Sequence, residues 1–270
     1  MQEKKYHTGQ VQLNYGEGRP NGIPLMLIHG SGSIWQDWNP VIKAFSDRNH
    51  LFAVDLRGFG GSDRVPGTYN LTTFVDDMAG FIRDVISDKP VVAGHSLGAL
   101  ITIDLAGRYS DIIKAAVLEE PPVSIQENMD QWEGWNYFEM SLEMIRKKTS
   151  RQKVIARFID ETGYSPSEAQ RMARNLEVID PGVFEQALEG QMFKLGRDVP
   201  TALSRIHCPC LFISSDYSLG SLVRPEDLPG VKKSLKKGQM AFIKEVGHSI
   251  HMESPRAFNK ELGDFLSGLQ

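Results

Sequence analysis

The chain has 270 residues, of which 41% are hydrophobic and 24% charged, and its formal net charge is -4 at pH 7. This composition is ordinary for a soluble globular protein of one domain with an insertion, or of two small domains. The small negative charge gives no electrostatic reason to expect nucleic acid or an anionic membrane as a partner. Because the first ten residues lack an apolar signal core and no apolar run nears the roughly 20 residues of a membrane span, we expect a cytoplasmic protein.

The first third of the chain alternates short apolar runs with helical patterns. Turn signals at Gly9 and at 16–18 predict an opening hairpin of two strands. Nearly continuous apolar runs at 24–28 and 50–55 are typical of buried parallel strands. An amphipathic helix is predicted over 71–86 from its apolar residues at helical spacing.

Residues 90–105, PVVAGHSLGALITIDL, predict a buried strand, a sharp turn and a helix. The turn matches the pattern G-x-S-x-G, with Ser96 at its centre. Such a turn holds the serine in a strained backbone conformation at the start of a helix, where free N–H groups favour negative charge. Ser96 is therefore a candidate nucleophile.

The strand and helix alternation continues with a strand at 113–118 and then stops at 119–122. Residues 123–199 show helical patterns rich in large side chains, which predicts a helical insertion. The alternation resumes with a strand at 209–214, a helix near 225–237 and a last strand at 240–243. These elements predict an α/β fold with a doubly wound, mostly parallel, eight-stranded sheet and an insertion after the sixth strand.

Four motifs in order complete this pattern: HGSG at 29–32, DLRGFGGSD at 55–63, GHSLGA at 94–99 and GHSIHMESP at 247–255. The set resembles the α/β-hydrolase fold, and the likeness extends over almost the whole chain. The resemblance implies a core domain of 1–122 and 200–270 and a helical cap, or lid, of 123–199.

The resemblance also implies a set of catalytic roles. Ser96 is the expected nucleophile and His248 the base that takes its proton. The backbone N–H groups of Ser31 and Leu97 are the expected oxyanion donors. His95 occupies the usual place before the nucleophile and is expected to point away from it. His251 and Glu253 are expected to fix the loop of the base.

The carboxylate that orients His248 is where this chain departs from the common family pattern. Most relatives carry an aspartate after the strand that corresponds to 211–214, but Ser218 occupies that place here. Asp216 is the carboxylate in that loop, two positions early. Some relatives place the acid after the preceding strand, where this chain has Glu120. We prefer Glu120 as the acid and keep Asp216 as the alternative.

The expected activity is hydrolysis of a small, largely apolar ester or lactone by a serine hydrolase, with no cofactor and no metal. The apolar substrate is suggested by the aromatic and methionine side chains of the insertion, because ligands often bind in aromatic-lined clefts between subdomains. The candidate substrate-binding residues are Gly30, Trp35, Trp132, Trp135 and Phe138. A carbon–carbon bond hydrolase, an amidase and a slow-turnover ligand receptor of the same fold are the alternatives.

Overall fold

The computed structural model describes residues 1–124 and 135–269, and within them eight strands form one sheet. The strands are β1 (Gln2–His7), β2 (Gln12–Glu17), β3 (Ile23–Ile28), β4 (Asn49–Val54), β5 (Val91–His95), β6 (Ala115–Glu119), β7 (Cys210–Ser215) and β8 (Gly238–Ile243). Their order across the sheet is β1-β2-β4-β3-β5-β6-β7-β8. Strand order reverses beside β3, so ligands are expected at the carboxyl ends of the central strands.

The sheet is mixed, with a large parallel part. The hairpin strands β1 and β2 pair antiparallel with each other, and β2 pairs antiparallel with β4. From β4 through β3, β5, β6 and β7 to β8 every neighbouring pair is parallel. The predicted fold class is confirmed, and the antiparallel edge is the predicted opening hairpin.

Eleven α-helices lie in the described part of the chain. They are α1 (Asn39–Phe45), α2 (Leu71–Val85), α3 (Leu97–Arg108), α4 (Trp135–Arg146), α5 (Arg151–Thr162), α6 (Pro166–Leu176), α7 (Pro181–Leu188), α8 (Val199–Leu203), α9 (Leu228–Ser234), α10 (Ile250–Glu253) and α11 (Pro255–Ser267). The helix predicted near 225–237 is shorter than expected, with a 3₁₀ turn at Pro225–Asp227 leading into α9.

The two faces of the sheet bury separate hydrophobic cores. Successive side chains of a strand point to opposite faces. Met26 and Ile28 of β3 accordingly join the core beneath α2 and α3, whereas Leu25 and Leu27 join the core beneath α1 and α11. Because these strands are parallel, their carboxyl ends lie at one rim between the two cores, and that rim carries the candidate site.

Helices α4 to α7 lie between β6 and β7 in sequence, and α4 packs on α7 while α5 packs on α6. Helix α8 packs instead on α3 and α9. In the described residues between β6 and β7 the chain forms helices and loops without a strand. The exact extent of the cap, 123–199, stays a prediction.

The longest of the described helices, α2, has 15 residues. Within residues 1–124 and 135–269, none of them combines the length and apolar character that crossing a bilayer requires.

Candidate active site

The sharp turn after β5 places Ser96 between a strand and a helix. Ser96 has φ 53° and ψ -114°, a backbone conformation that side-chain-bearing residues rarely adopt. The turn is possible because Gly94 and Gly98 let two backbones touch. A Cβ on Gly94 would lie 2.1 Å from the Gly98 carbonyl oxygen, and a Cβ on Gly98 would lie 2.2 Å from that of Ile28.

Ser96 lies beside the backbone N–H groups at the start of α3. Ser96 is 5% exposed, and its own N–H donates to the Glu119 carbonyl at the end of β6, 2.9 Å away. Leu97 is the first residue of α3, so its N–H belongs to the first helical turn, where N–H groups have no intrahelical acceptor. The Leu97 N–H therefore lies next to Ser96 at the start of the helix.

The loop after β3 lies directly against this turn. A Cβ on Gly30 would lie 3.0 Å from the Ser96 Cβ, so the Gly30 backbone lies directly against Ser96. Gly30 and Ser33 close a tight turn through a 3.2 Å bond from the Ser33 N–H to the Gly30 carbonyl. Ser31, the second predicted oxyanion donor, lies inside that turn and is half-buried.

Buried polar groups hold this loop in place. The Leu56 N–H donates to His29 Nε2 at 3.1 Å, so His29 Nδ1 carries the proton and donates to the Gly30 carbonyl at 2.8 Å. Burial lowers the pKa of His29, which favours this neutral form. Asp55 accepts the Trp35 N–H at 2.8 Å and so joins the loop after β4 to the loop after β3.

Glu120 immediately follows β6 and is completely buried. Its φ is 51°, so it is the second side-chain-bearing residue of the site in the left-handed region. Oε1 accepts the Ser215 N–H at 2.8 Å and the hydroxyls of Ser215 and Ser221 at 3.0 and 2.9 Å. Oε2 accepts the Leu222 N–H at 2.8 Å. These donors replace the water that burial removes from the carboxylate.

The Glu120 carboxylate also contacts the imidazole of His248. Glu120 Oε2 lies 3.4 Å from His248 Nδ1, and the His248 side chain is 27% exposed. A carboxylate only accepts hydrogen bonds, so this contact favours the tautomer with the proton on Nδ1. His248 Nε2 is then left with a lone pair, which is what a general base requires.

Asp216 takes a different role in the structure. It follows β7, is half-buried, and its carboxylate accepts the backbone N–H of Glu245. Its own N–H donates to the Val246 carbonyl at 3.2 Å. Asp216 therefore fastens the loop after β7 to the loop after β8, whereas Glu120 contacts the imidazole of His248.

Two carboxylates fix the loop that carries His248. The N–H groups on either side of His248, those of Gly247 and Ser249, donate to Glu253 at 2.7 and 2.8 Å. Glu119, which is completely buried, accepts His251 Nδ1 at 2.8 Å and the His251 N–H at 2.8 Å. These contacts are those expected of loop-fixing residues. Glu119 was not anticipated from the sequence.

The side chain of His95, which is expected to point away from Ser96, reaches the loop of His248. Its Nε2 lies 3.0 Å from the main-chain oxygen of His248, and the two imidazole centroids are 4.6 Å apart. The side chain therefore turns toward the base loop. The reason is the available space, because the Gly30 backbone leaves room for the ring beside Ser96.

The predicted substrate-binding residues fall in different places. Gly30 touches Ser96, as described, and Trp135 is half-buried at the start of α4. Trp35 packs against the backbone of Gly16 in β2. Phe138 is 1% exposed and packs on Phe184 and Phe193, with ring centroids 6.2 and 5.6 Å away. Trp132 lies outside the described residues.

The residue of α4 that reaches the loop after β3 is Tyr137. A Cβ on Gly32 would lie 1.9 Å from the Tyr137 hydroxyl oxygen. The cap also bonds to this loop through Asn175, whose Nδ2 donates to the Gly32 carbonyl at 3.1 Å and to Asp37 at 2.8 Å. Sequence reasoning singled out Phe138 and missed its neighbour. The helical stripe of α4 could not show which of the two faces the loop.

The described residues contain a group with possible metal-ligand chemistry, His95, Glu119 and His251, whose ligand atoms lie within 4.8 Å of one another. In this group the Glu119 carboxylate is already bonded to His251. The imidazole of His251 also stacks on Trp38, with ring centroids 4.1 Å apart. These contacts give the three residues a structural role, which is to hold the loop of His248 in place.

The sequence of this chain matches a known protein family. Residues 25–261 match the family model described as "Alpha/beta hydrolase family". A 2-(acetamidomethylene)succinate hydrolase of Mesorhizobium japonicum is 32% identical over 114 residues, which are 42% of this chain and 41% of that protein. The matched stretch is thus less than half of that relative's length.

Solved structures of similar fold cover nearly the whole chain. A deformylase from Pseudomonas putida S16 superposes with a TM-score of 0.81 at 19% identity, covering 97% of this chain and 100% of that one. An enol-lactonase from Burkholderia xenovorans superposes with a TM-score of 0.79 at 18% identity, covering 98% of this chain and 100% of that one. At these identities the likeness establishes the fold.

Proposed function

Because this chain belongs to the alpha/beta hydrolase family, we propose that it is a serine hydrolase that cleaves a small, largely apolar carboxylic ester or lactone. The single observation that carries the proposal is the buried Glu120 carboxylate 3.4 Å from His248 Nδ1. The loop of His248 is in turn hydrogen-bonded to His95, the residue before Ser96. A serine hydroxyl is a weak nucleophile at neutral pH and needs such an oriented base.

In the first step, the Ser96 oxygen attacks the substrate carbonyl carbon while its proton passes to His248 Nε2. Glu120 stabilises the imidazolium that forms and keeps its Nδ1–H oriented. The carbonyl electron pair moves to the oxygen, and collapse of this intermediate breaks the bond to the leaving alkoxide. The leaving group takes the proton from His248, which leaves an ester on Ser96.

The negative oxygen of the intermediate requires donors that are already in position. The N–H groups of Leu97 and Ser31 are proposed for that role, because one begins α3 and the other lies in the turn that touches Ser96. Loss of one such donor costs roughly 3–4 kcal/mol in well-studied hydrolases. In the second step His248 takes a proton from water, which attacks the acyl group and releases Ser96.

The substrate class rests on two kinds of support. The side chains of Tyr137 and Met172 lie near the Gly32 backbone, which supports an apolar acyl or alcohol group. The enol-lactonase of similar fold is consistent with a lactone. Relatives named for an acetamidomethylene compound and for a deformylase favour an amide as the second candidate.

A panel of p-nitrophenyl esters, lactones and anilides tests the proposal, with Ser96→Ala as the control for each. We expect turnover of medium-chain or aromatic esters or of lactones, and none by Ser96→Ala. Turnover restricted to anilides would replace the ester by the amide. Covalent reaction with a fluorophosphonate but no turnover of any compound would support a slow receptor instead. Equal labelling of Ser96→Ala would remove Ser96 from the proposed role.

A further inference from the structure

His95 touches three separate parts of the candidate site. It precedes Ser96 in the turn after β5 and is 4% exposed. Its Nε2 lies 3.0 Å from the His248 main-chain oxygen, across 153 residues of sequence. Its Nδ1 would lie 2.9 Å from a Cβ on Gly30, in the loop of the proposed oxyanion donor. One side chain thus joins the loops of the nucleophile, the base and the oxyanion.

The hydrogen bond fixes which nitrogen of His95 carries the proton. A main-chain carbonyl only accepts, so Nε2 must donate to His248 and Nδ1 must hold a lone pair. Nδ1 is buried and has no hydrogen-bonding partner among the described residues. Leaving a buried acceptor unsatisfied costs about 1–3 kcal/mol. A leucine or methionine would fill the same space without that cost, so packing alone does not explain a histidine here.

The surroundings keep His95 neutral. Burial, and then the neighbouring His248 and His251, hold the pKa of His95 well below its ordinary value, and Arg171 acts in the same direction. The ring of His251 lies 5.0 Å away and is itself bonded to Glu119. A neutral ring keeps one donor and one acceptor, so its bond to His248 persists while His248 gains and loses a proton.

We propose that His95 is a positioning residue that sets the distance between the nucleophile and the base by holding the main chain of His248. The inference rests on the proposed function, in which Ser96 passes a proton to His248. Those two residues lie on different loops, and the His95 bond is a direct tie between them. A displacement of about 1 Å in a catalytic group can cost a hundredfold in rate.

Two variants of similar size separate the hydrogen bond from packing. In His95→Gln the side-chain amide nitrogen can occupy the place of imidazole Nε2 and donate to the same carbonyl. In His95→Met no donor remains. We expect His95→Met to lower kcat by between about tenfold and a hundredfold with little change in KM, and His95→Gln to restore most of the loss. Thermal unfolding of both variants verifies that they fold.

The pH profile gives a readout that packing would not move. If His95→Met loosens the contact between His248 and Glu120, the imidazolium loses stabilisation, and the acidic limb of kcat/KM moves to lower pH. His95→Gln is expected to keep the wild-type limb. Equal activity and equal limbs in wild type and His95→Met would overturn the inference, as would a His95→Gln enzyme as slow as His95→Met.

Nitrogen NMR of the wild-type imidazoles tests the same bond without a variant. We expect His95 as the Nε2–H tautomer, with shifts that stay constant between about pH 5.5 and 8.5. A His95 that titrates in this range, or that carries its proton on Nδ1, contradicts the inference. If instead the wild-type protein neither turns over substrates nor reacts with a fluorophosphonate, the proposed function fails, and the positioning role fails with it whatever the tautomer.

Discussion

The ends of β6 and β7 offer the most instructive contrast in this molecule. Each strand is followed by a carboxylate that the sequence makes a candidate partner for His248. Glu120, after β6, is completely buried, holds a left-handed backbone and lies 3.4 Å from His248 Nδ1. Asp216, after β7, is half-buried and accepts the Glu245 N–H.

The difference shows that a position after a strand does not by itself bring a carboxylate to His248. The end of β7 and the loop after it contribute to the site in another way, because Ser215, Ser221 and Leu222 donate to Glu120. One loop thus supplies the carboxylate and the other supplies its hydrogen-bond donors. Variants of residues in both loops test this division of roles.

The largest effect is expected from Glu120→Gln. An amide cannot stabilise the imidazolium and can bond to the wrong tautomer, which costs about 10⁴-fold in kcat in well-studied triads. Asp216→Asn is the matched control and is expected to stay within about threefold of wild type, because it keeps a side-chain oxygen for the Glu245 N–H. The measurement is kcat with the best ester of the panel. A slow Asp216→Asn enzyme beside a fast Glu120→Gln enzyme would reverse the assignment.

A smaller loss is expected from Glu253→Gln. Gly247 and Ser249 both donate to this carboxylate on either side of His248, and an amide can accept only through its one oxygen. Since the base would be displaced without being removed, we expect a loss of kcat between about tenfold and a hundredfold. KM is expected to change little. Wild-type kcat in Glu253→Gln would show that the other contacts of this loop, those of Glu119 and His95, hold His248 without Glu253.

The donors of Glu120 can be tested by Ser221→Ala. Its hydroxyl lies 2.9 Å from Glu120 Oε1, and hydrogen bonds to charged groups contribute about 1.5–3 kcal/mol. We expect the free energy of unfolding to fall by about that amount in urea titrations. Ser218→Ala, an exposed position of the same loop, is the control and is expected to unfold like the wild type. Equal stability of the two variants would mean that Glu120 does not depend on this donor.

The pH dependence of stability tests the burial of two histidines, His29 and His95. Burial lowers the pKa values of His29 and His95 in the folded protein. Below about pH 6.5 the unfolded chain therefore binds protons that the folded chain does not, and stability present above this pH is lost as the pH falls. Each histidine contributes at most about 1.4 kcal/mol per pH unit. Urea titrations at about pH 7.5 and 5.5 are expected to show a smaller loss in His95→Gln, and equal losses would contradict the shift of His95.

The fold and the positions of the motifs could be read from the sequence because both depend on local pattern. Apolar runs predicted the parallel strands, and the glycines around Ser96 predicted the strand, turn and helix that the structure contains. Local pattern could not decide between Glu120 and Asp216, because the burial of each carboxylate and its hydrogen-bond donors depend on other parts of the chain. The bonds of His95 and Glu119 depend on how side chains meet across loops, and no spacing in the chain encodes them.

In the proposed mechanism, Glu120 acts only through His248. The test is a comparison of kcat for His248→Ala, Glu120→Gln and the double variant on one ester. Residues that work as a unit lose activity together, so we predict that the double variant is no slower than His248→Ala alone. A double variant slower by the product of the two single losses would show that the two residues act independently, and would contradict the proposed dependence of Glu120 on His248.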